Sequence, residues 1–186
     1  MKFRFLWAGA AAALLALLIA CGGSPTSATP QGNFRVMLTD SPFADAKAVL
    51  VTFSDLSIHS SGGGWTPVVT TTTTCDLKQL QNAQTLLGSA TLQPGHYTQI
   101  RVTVATAALS LTTAAPPPAC VSVSPTLPGS QSIDVPSGQL IINREFDIPS
   151  GSTVTLTLDF KGDQSIIQTG NGAYKMTPVI AAVSVQ

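Results

Sequence analysis

Residues 152–160 read STVTLTLDF, and their alternation decides the fold. Val154, Leu156, Leu158 and Phe160 share one parity, while Thr153, Thr155, Thr157 and Asp159 share the other. A period of two places the apolar set on one face of a strand and the polar set on the opposite face. Such a strand offers half of a core and requires a second apolar layer to cover it. The pattern recurs upstream. Ile100, Val102 and Val104 alternate with Gln99, Arg101 and Thr103, and Phe34, Val36 and Leu38 alternate with Arg35, Met37 and Thr39. Residues 46–60 form a longer candidate with a fault in it. Val49, Val51 and Phe53 lie on one parity, Leu56 and Ile58 on the other. One regular strand cannot keep both sets on one face, so a bulge or a bend into a second sheet is expected near Ser54 and Asp55.

The segments between these strands carry turn signals. Residues 60–64 (SSGGG) turn the chain back into residues 65–70 as a hairpin, and the threonines at 70–74 are expected to be exposed. In residues 76–88, Leu77, Leu80, Ala83 and Leu87 recur near helical spacing, with Gly88 placed as a C-terminal cap. One short helix or an irregular segment is expected there. Residues 112–120 (TTAAPPPAC) hold too much proline for a central strand and read as an insertion loop. Strand-like pieces follow at 131–135, 139–148, 165–168 and 177–185, the last two separated by a Gly170-Asn171-Gly172 turn. Together these imply an all-β fold, a Greek-key β-sandwich of about 7–9 strands with at most one short helix.

The start of the chain bears on location. Lys2 and Arg4 precede an apolar stretch over residues 5–20, interrupted by Gly9, and the chain then reads Leu18-Ile19-Ala20-Cys21-Gly22-Gly23. A positive start, an apolar centre and a small residue before the cut are the parts of a secretory signal. The apolar stretch falls short of the roughly 20 residues that a membrane span needs. Its end resembles the lipobox of bacterial lipoproteins. That resemblance implies cleavage between Ala20 and Cys21, with Cys21 lipidated as the first residue of the mature chain. Several acyl chains hold firmly where one holds weakly, since each buried CH₂ contributes about 0.8 kcal/mol. The Gly22 that follows replaces the aspartate usual in lipoproteins retained at the inner membrane, which favours the outer membrane of a Gram-negative cell. The organisation expected is a signal at 1–20, a flexible tether at 21–32 and one β-sandwich domain at 33–186.

Composition excludes one class of partner. The chain carries nine basic and nine acidic residues, and loss of Lys2 and Arg4 leaves seven basic against nine acidic. No basic run is present to grip phosphate backbones, so nucleic acid is not an expected partner. Of the three cysteines, Cys75 and Cys120 remain once Cys21 is lipidated. Export to an oxidising compartment favours a bridge between them, worth roughly 3–4 kcal/mol, over two separate thiols.

Candidate chemistry is sparse. His59 and His96 each sit beside a turn, and the chain holds neither a Gly-x-Ser-x-Gly elbow nor a Ser-x-x-Lys pair. Glu145 and Asp147 share one face of one strand, so they do not flank a substrate as a glycosidase pair must; Asp134 or Asp159 would have to oppose them. Asp40 and Asp45 bracket one turn and Asp159 and Asp163 another, which suits either a calcium site or ordinary turn carboxylates. Trp65 and Tyr97 are either core aromatics or a sugar-stacking platform.

Three blocks in this order, FRVMLTDSPFADAKAVLVTFSDLSIHSSGGGW, LQPGHYTQIRVTV and FDIPSGSTVTLTLDFKGDQSIIQTGNGAYKMTPVI, resemble the domain of unknown function 4382 family of exported bacterial and archaeal proteins. The resemblance covers most of residues 34–180 and implies a Greek-key sandwich without known catalytic residues. The reading at this level is a lipid-anchored module of the bacterial cell envelope, without enzymatic activity. Its partners would be the membrane through Cys21 and an envelope protein or glycan. A hydrolase acting on glycans or peptides, and a calcium-stabilised adhesion module, are the rivals.

Overall fold

Alternation in the sequence becomes two packed sheets in the computed structural model, which describes residues 30–41, 43 and 45–186. The signal, Ala20, Cys21 and all but the end of the tether lie outside the described residues. The first sheet holds β1 (Gly32–Ser41), β5 (Thr85–Leu92), β10 (Thr153–Lys161) and β13 (Ile180–Val185), in the order β13-β10-β1-β5. β1 and β10 pair in parallel, Phe34 opposite Val154 and Asp40 opposite Phe160; the other two pairings are antiparallel.

The second sheet is organised by two long strands, β2 (Ala48–Ser60) and β6 (Gly95–Ser110), which pair antiparallel along most of their lengths. Each is long enough to take two partners in succession. β2 pairs with β4 (Thr73–Asp76) through its first half and with β3 (Trp65–Val69) through its second. β6 pairs with β9 (Gln139–Ile148) through its first half and with β8 (Gln131–Asp134) through its second. β7 (Cys120–Val121), β11 (Ile166–Gln168) and β12 (Tyr174–Met176) extend this sheet at its margins. The expected all-β sandwich therefore forms. The thirteen strands among the described residues exceed the expected seven to nine because the halves of β2 and β6 recruit separate short partners. The sheets are mixed, since β1–β10 and β12–β8 run parallel.

Where the hydrophobic phase switches, β2 carries a bulge: its register against β6 shifts between Phe53 and Asp55. The strand stays in one sheet, and Val49, Val51, Phe53, Leu56 and Ile58 are all buried in one core. Aromatic contacts tie the layers. Phe34 stacks on Phe146 at 5.3 Å, Tyr97 stacks on Phe146 at 5.6 Å, and Phe53 meets Phe160 edge-on at 6.4 Å. At the corners of the sandwich β3 approaches β5 and β9 approaches β13, so each sheet half closes on the other. Gly88 marks one corner, because a Cβ there would lie 2.3 Å from Val69 Cγ2.

Residues 76–88 correct the helical expectation. Leu77–Leu80 form one 3₁₀ turn, and Thr85–Leu92 form β5. Leu77 and Leu80 are buried from the turn, whereas Leu87 is buried from the strand, with Gly88 opposite Val36 rather than capping a helix. The near-helical spacing arises where a three-residue step meets a two-residue one. A second helical turn, α1 (Gly162–Ser165), follows β10, so two short turns replace the single expected helix. The threonine run is also corrected at its end. Thr70 to Thr72 are exposed, but Thr74 lies in β4, buried, with its hydroxyl 2.9 Å from that of Thr52.

The proline-rich segment is an arm folded over the sheet. Cys120 pairs with Cys75 through both the β7–β4 ladder and a disulfide. Asp76 donates its amide to Ala119 at 2.7 Å, and Gln79 donates to the Ala115 carbonyl at 3.2 Å. The arm brings Leu127 and Ala115 against Ala48 and Leu50, on the parity of β2 that faces away from the main core. This second cover explains why residues 48–53 are buried on both faces.

Candidate functional site

The polar side of the second sheet collects the chain's most interactive side chains. Burial of Leu56, Ile58, Ile100 and Val102 turns their neighbours outward, and the registers of β3, β2, β6 and β9 line those neighbours up. One row runs Trp65, His59, Gln99, Asn143; the next runs Pro67, Ser57, Arg101, Ile141. Arg101 is the centre. Its guanidinium carbon lies 4.6 Å from the Trp65 ring centre, its Nη2 donates to Ser57 Oγ at 3.3 Å, and its Nε lies 3.8 Å from Asp55. Ser57 in turn donates to the Asp55 carboxylate at 2.9 Å. Stacking on the indole and the polar contacts hold the planar fork in one orientation. Arg101 Nε is buried and without an acceptor among the described residues. His59 meets Trp65 edge-on at 5.1 Å, and Gln99 Nε2 donates to Asn143 Oδ1 at 2.9 Å.

Trp65 and Tyr97 thus have different fates. Trp65 is half-buried on the face, while Tyr97 is a core residue whose hydroxyl donates to the Gln93 carbonyl at 2.9 Å and whose acidity is weakened by burial. They form no common platform.

The four aspartates gather near one end of the sandwich without converging. Asp40 continues the inward parity of Phe34, Val36 and Leu38 and is buried, and among the described residues neither carboxylate oxygen makes a hydrogen bond of regular geometry. Burial pushes its pKa up to about 7; the Gly162 amide offsets part of this, Asp159 adds to it, Lys78 opposes it and Asp163 adds a little more. Asp159 sits on the outward parity, held by Lys161 and by the Ser41 hydroxyl at 3.2 Å. Asp163 lies exposed on α1 and Asp45 exposed in the turn before β2. Among the described residues no three His, Cys, Asp or Glu side chains come together as a cation cage. Asp76, which no sequence motif marks, is the best-bonded carboxylate among the described residues: buried, it accepts from the Val49 and Lys78 amides at 2.9 and 3.1 Å.

His59 Nδ1 lies 3.4 Å from the Thr98 hydroxyl, and His96 Nδ1 lies 2.9 Å from exposed Asp147. Glu145 and Asp147 flank buried Phe146 and share a face. Arg101 and Gln99 are legible in the sequence only as outward-facing polar residues and Asn143 only as part of a strand; their assembly depends on strand register.

The family model for a domain of unknown function, DUF4382, matches residues 31–178. The chain belongs to the DUF4382 family. That span takes in β1 to β12, so the DUF4382 unit is the sandwich itself, with β13 added at its edge. No curated protein and no solved structure matches the chain. The family's description assigns no activity, and the functional reading rests on the residues above. Among the described residues no helix is long and apolar enough to cross a membrane.

Proposed function

We propose that this DUF4382 protein is a lipid-anchored, extracytoplasmic module of the bacterial cell envelope that binds or braces a partner without catalysis. The observation that carries the reading is the Cys75–Cys120 disulfide, which closes a separation of 45 residues within the β4–β7 ladder. Such cross-links persist in oxidising compartments outside the cytosol. They agree with the exported leader and with Cys21 at the position of a lipobox cysteine. Gly22 directs the anchored protein to the outer membrane where there is one.

The test is intact mass and membrane partitioning of the natively expressed protein beside a Cys21→Ser variant. An acylated chain beginning at Cys21, with the variant unlipidated and released, is the expected result. An unmodified Cys21 and equal solubility of both proteins would overturn the anchor.

A further inference from the structure

We infer that Asn171 is a site of self-modification: the turn closing the β11–β12 hairpin presents its carboxamide to the Gly172 nitrogen, which converts it to a succinimide that water opens to aspartate and isoaspartate. The inference goes beyond the binding-module reading and does not depend on it. The reaction needs an unhindered backbone nitrogen, a carboxamide carbon turned towards it, and donors for the charge that gathers on the carboxamide oxygen. The turn supplies all three.

The nitrogen belongs to a glycine. Asparagine occurs at 33, 82, 143 and 171, and only Asn171 precedes a glycine. Phe34, Ala83 and Arg144, which follow the others, each set a Cβ beside the nitrogen that would attack. Asn171 and Gly172 are exposed, and Gly172 holds a φ of 82° that a side chain would strain. Its N–H donates to the Thr169 carbonyl at 2.9 Å, and this exposed bond opens before attack. The carbon is turned by hydrogen bonds: Asn171 Oδ1 accepts from the Ala173 amide at 3.2 Å and from the Thr169 hydroxyl at 2.6 Å. A side-chain oxygen bonded to the amide two residues ahead folds the carboxamide back over the intervening peptide, which here is that of Gly172. The same two donors face the oxygen that turns negative when the nitrogen adds to Cγ, as in an oxyanion hole. The Thr169 hydroxyl shares its one proton with the Ala173 carbonyl at 2.9 Å, and charge on Oδ1 draws that proton over as the reaction proceeds.

The bond between Gly172 N and Asn171 Cγ forms, the Cγ–Nδ2 bond breaks, and the amide proton leaves through water with the departing ammonia. One water then opens the ring. Attack at the side-chain carbonyl gives aspartate; attack at the main-chain carbonyl gives isoaspartate, with an extra carbon in the main chain. Either product puts a carboxylate among residues 166–174, which otherwise hold no charged side chain. Tyr174 and Met176 hold β12 in the core, so the change is confined to the hairpin tip. There it lies beside β11, the end strand of the second sheet among the described residues, and a charge at a sheet margin discourages pairing with another chain.

The test holds the mature protein for weeks at growth temperature, in mildly acidic, neutral and mildly alkaline buffer, and digests samples with trypsin. Residues 162–175 are released as one peptide in which Asn171 is the only asparagine. That peptide should gain one mass unit with time, faster as pH rises, and accept methyl groups from an isoaspartate methyltransferase. Peptides holding Asn33, Asn82 and Asn143 should stay unchanged. In the folded protein Thr169→Val should slow the conversion roughly threefold to tenfold, the worth of one exposed hydrogen bond, and Thr169→Ser should keep the wild-type rate. Free peptides 162–175 carrying the same three residues at 169 should react alike. An unchanged peptide, equal rates in folded wild type and Thr169→Val, or the same dependence on residue 169 in the free peptides would overturn the inference.

Discussion

Asp40→Asn tests the least comfortable group in the sandwich. Asp40 follows Leu38 on the inward side of β1, opposite Phe160, and among the described residues neither of its oxygens makes a hydrogen bond of regular geometry. A carboxyl that ionises at 3.8 when exposed is pushed up to about 7 here, chiefly by burial. Between those values the folded chain binds a proton that the unfolded chain has released, so stability falls as pH rises from about 4 to about 7 and then levels off. At 1.36 kcal/mol per pH unit the full shift corresponds to about 4 kcal/mol, and relaxation with entering water brings the realised figure to about 2–4 kcal/mol. Asparagine keeps the shape and removes the charge. The variant should match wild type near pH 3.5 and exceed it by about 2–4 kcal/mol at pH 8, or roughly 5–15 °C for a chain of this size. Urea unfolding of both proteins from pH 3.5 to 9 measures the difference, in which the other carboxylates cancel. Parallel pH profiles would show that Asp40 ionises as an exposed group does. A variant less stable at pH 8 would show that the carboxylate has a partner, and would refute the reasoning from burial.

Three further outcomes follow from the same geometry. Reduction of the disulfide, or Cys120→Ser with Cys75→Ser, should cost about 4 kcal/mol from the loop it closes, read as a lower urea midpoint with the arm at 111–130 becoming sensitive to protease. Gly138→Ala places a Cβ 2.0 Å from the Val104 carbonyl oxygen, and that oxygen belongs to the backbone of β6. The loop before β9 must shift, at a cost of about 1–3 kcal/mol, and a melting temperature within one degree of wild type would contradict the packing. Because Asp40, Asp45, Asp159 and Asp163 do not converge, EDTA and millimolar calcium should give the same melting temperature. A calcium-dependent rise of several degrees would show that these carboxylates assemble in solution.

Electrostatics and cross-linking together shape how this sandwich manages its margins. The proline-rich arm, held by Cys120 and by Gln79, covers a surface of β2 that would otherwise expose Ala48 and Leu50. Asp76 sits where that cover meets the 3₁₀ turn. Its carboxylate joins the Val49 amide of β2 to the Lys78 amide of the turn, so one side chain fastens two elements at the edge of the core.

Alternation alone determined the strands around Phe34, Ile100 and Leu156, the bulge near Ser54 and which side of each of these strands faces the main core. Period-two burial is a local property: each strand carries its own pattern whichever partner it meets. The pairing of Cys75 with Cys120 was equally legible, being a matter of which cysteines were left to bridge. Residues 76–88 were not, because Leu87 belongs to a strand only once β1 supplies an edge for it. The parallel pairing of β1 with β10, the solitude of Asp40 at the end of that pairing, and the meeting of Arg101 with Trp65, Ser57 and Asp55 all depend on register between distant segments. Register is chosen by how two whole apolar faces fit together, and only the folded sandwich makes that choice.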